Sequence, residues 1–114
     1  MSKLTEKKCE PCSGGVEPLA GEKICMISKQ ISTEWKVVEE HHLAREFKFI
    51  NFVEALKFVN KVGCLAESEK HHPDIHLSWG KVKIEIYTHK IDGLHENDFI
   101  LAAKIDKLMP GTAI

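Results

Sequence analysis

Hydrophobic periodicity changes twice in the middle of this chain, and that change is the tightest constraint on its fold. Leu43, Arg45, Phe47 and Phe49 alternate with Ala44, Glu46 and Lys48, a two-residue period that predicts a strand. From Phe52 the pattern becomes helical, with Phe52, Ala55, Leu56, Val59, Gly63 and Ala66 on one stripe and Asn51 and Glu54 at a capping spacing before it. The two-residue period then returns: Val82, Ile84, Ile86 and Thr88 alternate with Lys83, Glu85, Tyr87 and His89. His89 therefore falls opposite the core-facing set.

The flanking segments complete the order. Leu19, Ala20, Ile24, Ile27 and Ile31 predict a helix of about three turns opening near Pro18. Trp35 to His41 reads as a strand joined to the next by a polar turn at Glu40 to His42, and Ile75 to Ser78 pairs with Val82 to Thr88 through Trp79-Gly80-Lys81. A last helix is predicted from His95 to Met109, with Leu101, Ala102, Ile105 and Leu108 as its stripe and Pro110-Gly111 as its stop. Links this short favour antiparallel hairpins, so the expected class is α+β. One four-stranded antiparallel sheet carries three helices on a single face, in the order α-β-β-α-β-β-α, and the other face stays open.

Residues 1–17 combine lysines, Cys9-Glu-Pro-Cys12 and Ser13-Gly14-Gly15, and are read as a flexible N-terminal arm; residues 18–114 form a single domain. Charged residues make up 29% with a net charge of −1, which speaks against a nucleic-acid groove or a polyelectrolyte binder. No apolar run is long enough to span a membrane and the N-terminus lacks the apolar stretch of a signal peptide, so a cytoplasmic protein with reduced thiols is expected. Cys9 and Cys12 are half of a zinc-ribbon signature without the other half, because Cys25 and Cys64 fall in predicted helices.

The chemistry concentrates in His71-His72-Pro73, Trp79, His89 and Asp98. Imidazole titrates nearer neutrality than any other unperturbed side chain, so histidines without a matching ligand set point to proton transfer. His76 lies four residues after His72, a metal-ligand spacing on a helix, yet Pro73 and the alternation of Ile75 with Leu77 predict a strand there. His41-His42 sits in the predicted turn, where solvent exposure is the expectation. Asp98 fits equally as a first-turn acid on the last helix and as a partner for a histidine.

Residues Glu67 to Asp98 resemble the pterin-4a-carbinolamine dehydratase family, which carries a His-His-Pro run, an aromatic, a Thr-His ending a strand, then Gly-Leu and an aspartate. Here these are His71-His72-Pro73, Trp79, Thr88-His89, Gly93-Leu94 and Asp98, while Trp35 and Phe47-Lys48-Phe49 match the family's earlier pattern. Two positions depart from it. Lys70 stands where an acid commonly precedes the histidines, and His95 stands where Ser or Thr commonly caps the last helix.

The resemblance implies dehydration of a 4a-hydroxytetrahydropterin to a quinonoid dihydropterin, in the recycling of tetrahydrobiopterin after aromatic amino-acid hydroxylation. It gives His71 and His89 as the acid/base pair, without dividing acid from base, His72 as a holder of the pterin and Asp98 as the residue that orients a histidine. Glu67 and Ser68 would meet the pterin's amide edge, and Trp35 and Trp79 would flank the heterocycle or close the pocket. No metal or other cofactor is implied. The implied partners are further copies of the chain, as a homodimer or homotetramer, and a pterin-dependent phenylalanine hydroxylase acting in the same sequence of reactions. The alternative is an interaction role on the same fold, because animal members also serve as dimerisation cofactors for a homeodomain transcription factor.

Overall fold

The computed structural model describes residues 4–9 and 17–108. Its elements run α1 (Glu22–Ser28), β1 (Lys36–Val38), β2 (His42–Lys48), α2 (Phe52–Glu69), β3 (Asp74–Ser78), β4 (Lys81–Ile86) and α3 (Glu96–Leu108), with short 3-10 turns at Leu4–Glu6 and His89–Ile91. The four strands form one antiparallel sheet in the order β1-β2-β4-β3. This is the architecture that the alternation of periods predicts.

Side-chain register explains why the helices share one face. Leu43 and Phe47 on β2 lie opposite Ile86 and Val82 on β4, and Ile75 and Leu77 on β3 pair with Ile84 and Val82. Against this apolar row α2 sets Ala55, Phe58 and Val62, and α3 sets Phe99, Leu101 and Ile105, all within one core. Burying such side chains stabilises by about 1.5–3 kcal/mol each relative to exposure. The opposite face shows Glu46, Lys83, Glu85 and His76 and holds no helix among the described residues.

Three boundaries differ from the sequence expectation. The first helix is shorter, beginning after Gly21 rather than Pro18. Leu19 N–H instead donates to Leu94 O at 2.8 Å, and Pro18 packs so closely on Gly93 that a Cβ there would meet it at 2.7 Å. That tertiary bond holds residues 18–20 out of the helix. The β1–β2 turn centres on Glu39 and Glu40, both with positive φ (53° and 56°), and His41 N–H closes it on Val38 O. Two positive-φ residues mark the type I′ turn, whose twist suits a hairpin. The pairing of β4 ends at Ile86, two residues before the predicted Thr88, although Thr88 still bridges to Gly93.

Residues 4–9 also depart from the expected arm. Leu4 is only 3% exposed within the core, and the 3-10 turn packs on α3. Lys7 pairs with Glu96 at 2.7 Å, and Cys9 N–H donates to Glu69 at 2.9 Å. Cys12, the other thiol of the Cys-x-x-Cys motif, lies outside the described residues, as do Met109 and the Pro110-Gly111 stop.

Candidate active site

The end of α2 places the paired histidines. Lys70 takes a left-handed conformation (φ 55°, ψ 37°), its N–H bonds Glu67 O, and His71 N–H bonds Ala66 O. These two bonds are those of a Schellman motif, which stops the helix and turns the chain sharply. His71 is thereby fixed at the helix end, directly before the strand that Pro73 introduces.

The start of α3 supplies its partner. Asp98 is fully buried, and its Oδ2 accepts from Thr88 Oγ1 at 3.0 Å and from His95 N–H at 2.8 Å. His95 Nδ1 in turn accepts the Asn97 N–H at 3.0 Å, so the two side chains cap the helix reciprocally. A histidine does here what Ser or Thr would do. The remaining Asp98 oxygen, Oδ1, lies 2.5 Å from His71 Nε2. With the carboxylate accepting, Nε2 carries the proton and Nδ1 is left as the ring's second functional atom.

His71 lines a cleft of about 430 Å³ together with His72, His89, Ser68 and Tyr87. This volume lies within the range of small-molecule sites. His89 enters from the turn after β4, where Tyr87 lies tilted against it with ring centroids 4.3 Å apart, and His41 meets Tyr87 in the same tilted way at 4.6 Å. His41 also bonds Asp92, 2.7 Å away, so the residue expected to be merely exposed braces the turn that carries His89. His72 is exposed and pairs with Glu67.

The N-terminal segment forms the opposite wall, through Lys8 and Cys9. Glu69 joins this wall to α3, since its Oε2 meets Lys104 Nζ at 2.6 Å while Oε1 accepts from Cys9. Burial alone would raise the Glu69 carboxyl, but the hydrogen bonds from Lys104 and Cys9 outweigh it and hold the group below its ordinary value. Burial, reinforced by the Glu69 charge, pushes the Cys9 thiol up to about 12.

The fold thus brings together His71, His72, His89 and Ser68 on one cleft, with Asp98 beneath it and Glu67 paired to His72. The two tryptophans lie elsewhere. Trp35 is in the core edge-on to Phe47, and its Nε1 donates to Asp106, which also pairs with Arg45. Trp79 is 68% exposed in the β3–β4 turn, and neither lines the cleft. Tyr87, Lys8 and Lys90 line it without having been singled out from the sequence, and Cys9, noted there only as half of a zinc-ribbon signature, lines it as well. Tyr87 had a signal, for it alternates in register with His89; the N-terminal pair had none.

The family model described as Pterin 4 alpha carbinolamine dehydratase matches residues 17–108. The chain belongs to that family. A relative from Alkaliphilus metalliredigens, provisionally named a pterin-4-alpha-carbinolamine dehydratase, is 60% identical over 107 residues, which are 94% of this chain and 96% of its own length. One from Rubrobacter xylanophilus, named in the same provisional way, is 57% identical over 95% of this chain and 100% of its own. The fold is also that of a crystal structure titled transcriptional coactivator/pterin dehydratase from Brucella melitensis, with a TM-score of 0.76 at 24% identity over 82% of this chain and 100% of the other. His71 and His89 both line the cleft of this family member.

Proposed function

We propose that this chain dehydrates a 4a-hydroxytetrahydropterin to the quinonoid dihydropterin, with its histidines as general acid and base. The observation that carries the reading is the buried Asp98 carboxylate fixing His71 in a cleft that His89 also lines. In the elimination, the C4a–O bond breaks as its oxygen gains a proton and leaves as water, while N5 loses its proton and its electrons form the C4a=N5 bond. His71, with its Nε2–H on Asp98, offers Nδ1 to take the N5 proton. His89, less tightly held at the open mouth, gives a proton to the departing oxygen. The two imidazoles then exchange protons with water to restore the starting state.

His72 and Ser68 hold the heterocycle in this reading, and Glu67 positions His72 through their contact. Recycling of a tetrahydropterin beside an aromatic amino-acid hydroxylase, in the cytoplasm, is the setting in which such an activity is used. Self-association belongs to the same proposal, since β1 and β3 are edge strands and edges invite pairing. Among the described residues no helix is long and apolar enough to cross a membrane. The deciding test is a dehydration assay with synthetic 4a-hydroxytetrahydropterin, followed by absorbance of the quinonoid product. Acceleration over the spontaneous reaction supports the proposal; a folded protein without it would leave an interaction module.

A further inference from the structure

Elimination of water from a neutral carbinolamine needs two proton carriers and leaves no use for a cluster of cations. The cleft has such a cluster. Lys8 of the N-terminal segment, Lys70 at the end of α2 and Lys90 in the turn after β4 all line it. They come from three separate elements, and none of the three has a carboxylate partner among the described residues, whereas Lys7 and Lys104 do at 2.7 and 2.6 Å.

The nearby acids offset them only in part. Glu69 has both oxygens engaged, by Lys104 and by Cys9 N–H, and Glu67 is taken by His72. Asp98 lies buried beneath the cleft with its three donors. Lysines therefore outnumber the carboxylates that lack a lysine partner around the cleft, in a chain whose net charge is −1, and a concave wall with an excess of one sign concentrates the field at its mouth. Lys8 is held there by its neighbours. Leu4 is in the core, Lys7 is paired to Glu96 and Cys9 is bonded to Glu69, so the segment is tied on both sides of Lys8.

We infer that the pterin this cleft accepts carries an anionic substituent, a phosphate or a carboxylate, which the three lysines meet while the histidines face the ring. The inference rests on the dehydratase reading and narrows its substrate class. Lysine suits this task, as a mobile point charge that binds anions without demanding one geometry.

The test compares stable reduced pterins on the full chain by calorimetry: neutral 7,8-dihydroneopterin against its monophosphate, with dihydrofolate as the carboxylate arm. The anionic ligand should bind about tenfold tighter at low salt, from three exposed charge contacts of modest strength each. That advantage should shrink severalfold at about 0.5 M sodium chloride, where screening acts over a few ångströms. In the triple variant K8Q/K70Q/K90Q the ratio of the two affinities should approach one. Phosphate and carboxylate arms tell the two tails apart, because the source is whichever shows the salt-sensitive advantage. Equal binding of neutral and anionic pterins, with dehydration intact, overturns this inference alone. Absence of both pterin binding and dehydration overturns the parent reading with it.

Discussion

Asp98 Oδ1 sits 2.5 Å from His71 Nε2, and the aspartate that makes this contact is fully buried while the histidine opens onto the cleft. The same carboxylate caps α3 through His95 and ties down Thr88, one residue before His89. One side chain therefore fixes both sides of the proposed chemistry, the end of α2 and the turn after β4.

Asp98→Asn should separate these duties. An amide keeps the shape but can present its NH₂ to His71, which favours the wrong tautomer, so turnover should fall by about two to four orders of magnitude. Asp98→Ala leaves Thr88 Oγ1 and His95 N–H without an acceptor and should cost about 1–3 kcal/mol of stability for each. Kinetics together with thermal melts of the two variants check this. An Asn variant with wild-type turnover would remove Asp98 from the mechanism.

The histidines should differ in kind. His71→Ala and His89→Ala remove proton carriers and should lower kcat by about 10²–10⁴ with little change in affinity. His72→Ala removes an exposed ring and should chiefly raise KM. Circular dichroism should show all three folded, since none of the three rings belongs to the core. Near-normal turnover in both His71 and His89 variants would sink the assignment.

The sheet and its helices were legible because periodicity reports burial directly: Val82, Ile84 and Ile86 are inside, and Lys83 and Glu85 are on the other face. What misled the reading were local features whose cause is distant. Pro18 looks like a helix start, but its segment is diverted by the bond from Leu19 to Leu94. Glu39-Glu40 has no Asn or Gly to announce a positive-φ turn. Of the candidate site, His71, His72 and His89 line one cleft. Trp35 does not join them, because the Asp106 and Arg45 contacts that hold it are 71 and 10 residues away in sequence and invisible to spacing. The cleft wall at Lys8 and Cys9 was hidden for the same reason, since Cys9 meets Glu69 across 60 residues.

Lys70 offers a test of local strain. A non-glycine residue in the left-handed region costs about 1–2 kcal/mol, and glycine gives back part of the gain as unfolded-chain entropy. Lys70→Gly should therefore stabilise the protein by about 0.5–1 kcal/mol, read as a rise in the denaturation midpoint. A loss of stability would show that the lysine side chain makes a contribution larger than its backbone strain.

Cys9 should behave as an inert thiol while it stays on the wall. With its ionisation pushed up to about 12, about one thiol in ten thousand is ionised at pH 8, and the thiolate is the form that reacts. Iodoacetamide should label the exposed Cys25 and Cys64 at least about a hundredfold faster, read by peptide mass spectrometry. The raised Cys9 value contributes stability that is present below its ordinary 9.0 and is lost as pH climbs toward about 12. The lowered Glu69 value contributes stability that is present above 4.5 and is lost as pH falls through the depressed value. The segment should thus hold at neutral pH and loosen at both extremes. Glu69→Gln removes a neighbouring negative charge and the partner of Lys104, so it should speed Cys9 labelling at pH 8 without altering that of Cys25. If Cys9 in the unaltered chain reacts as fast as Cys25, residues 4–9 do not stay on α3, and the wall they give the cleft is lost with them.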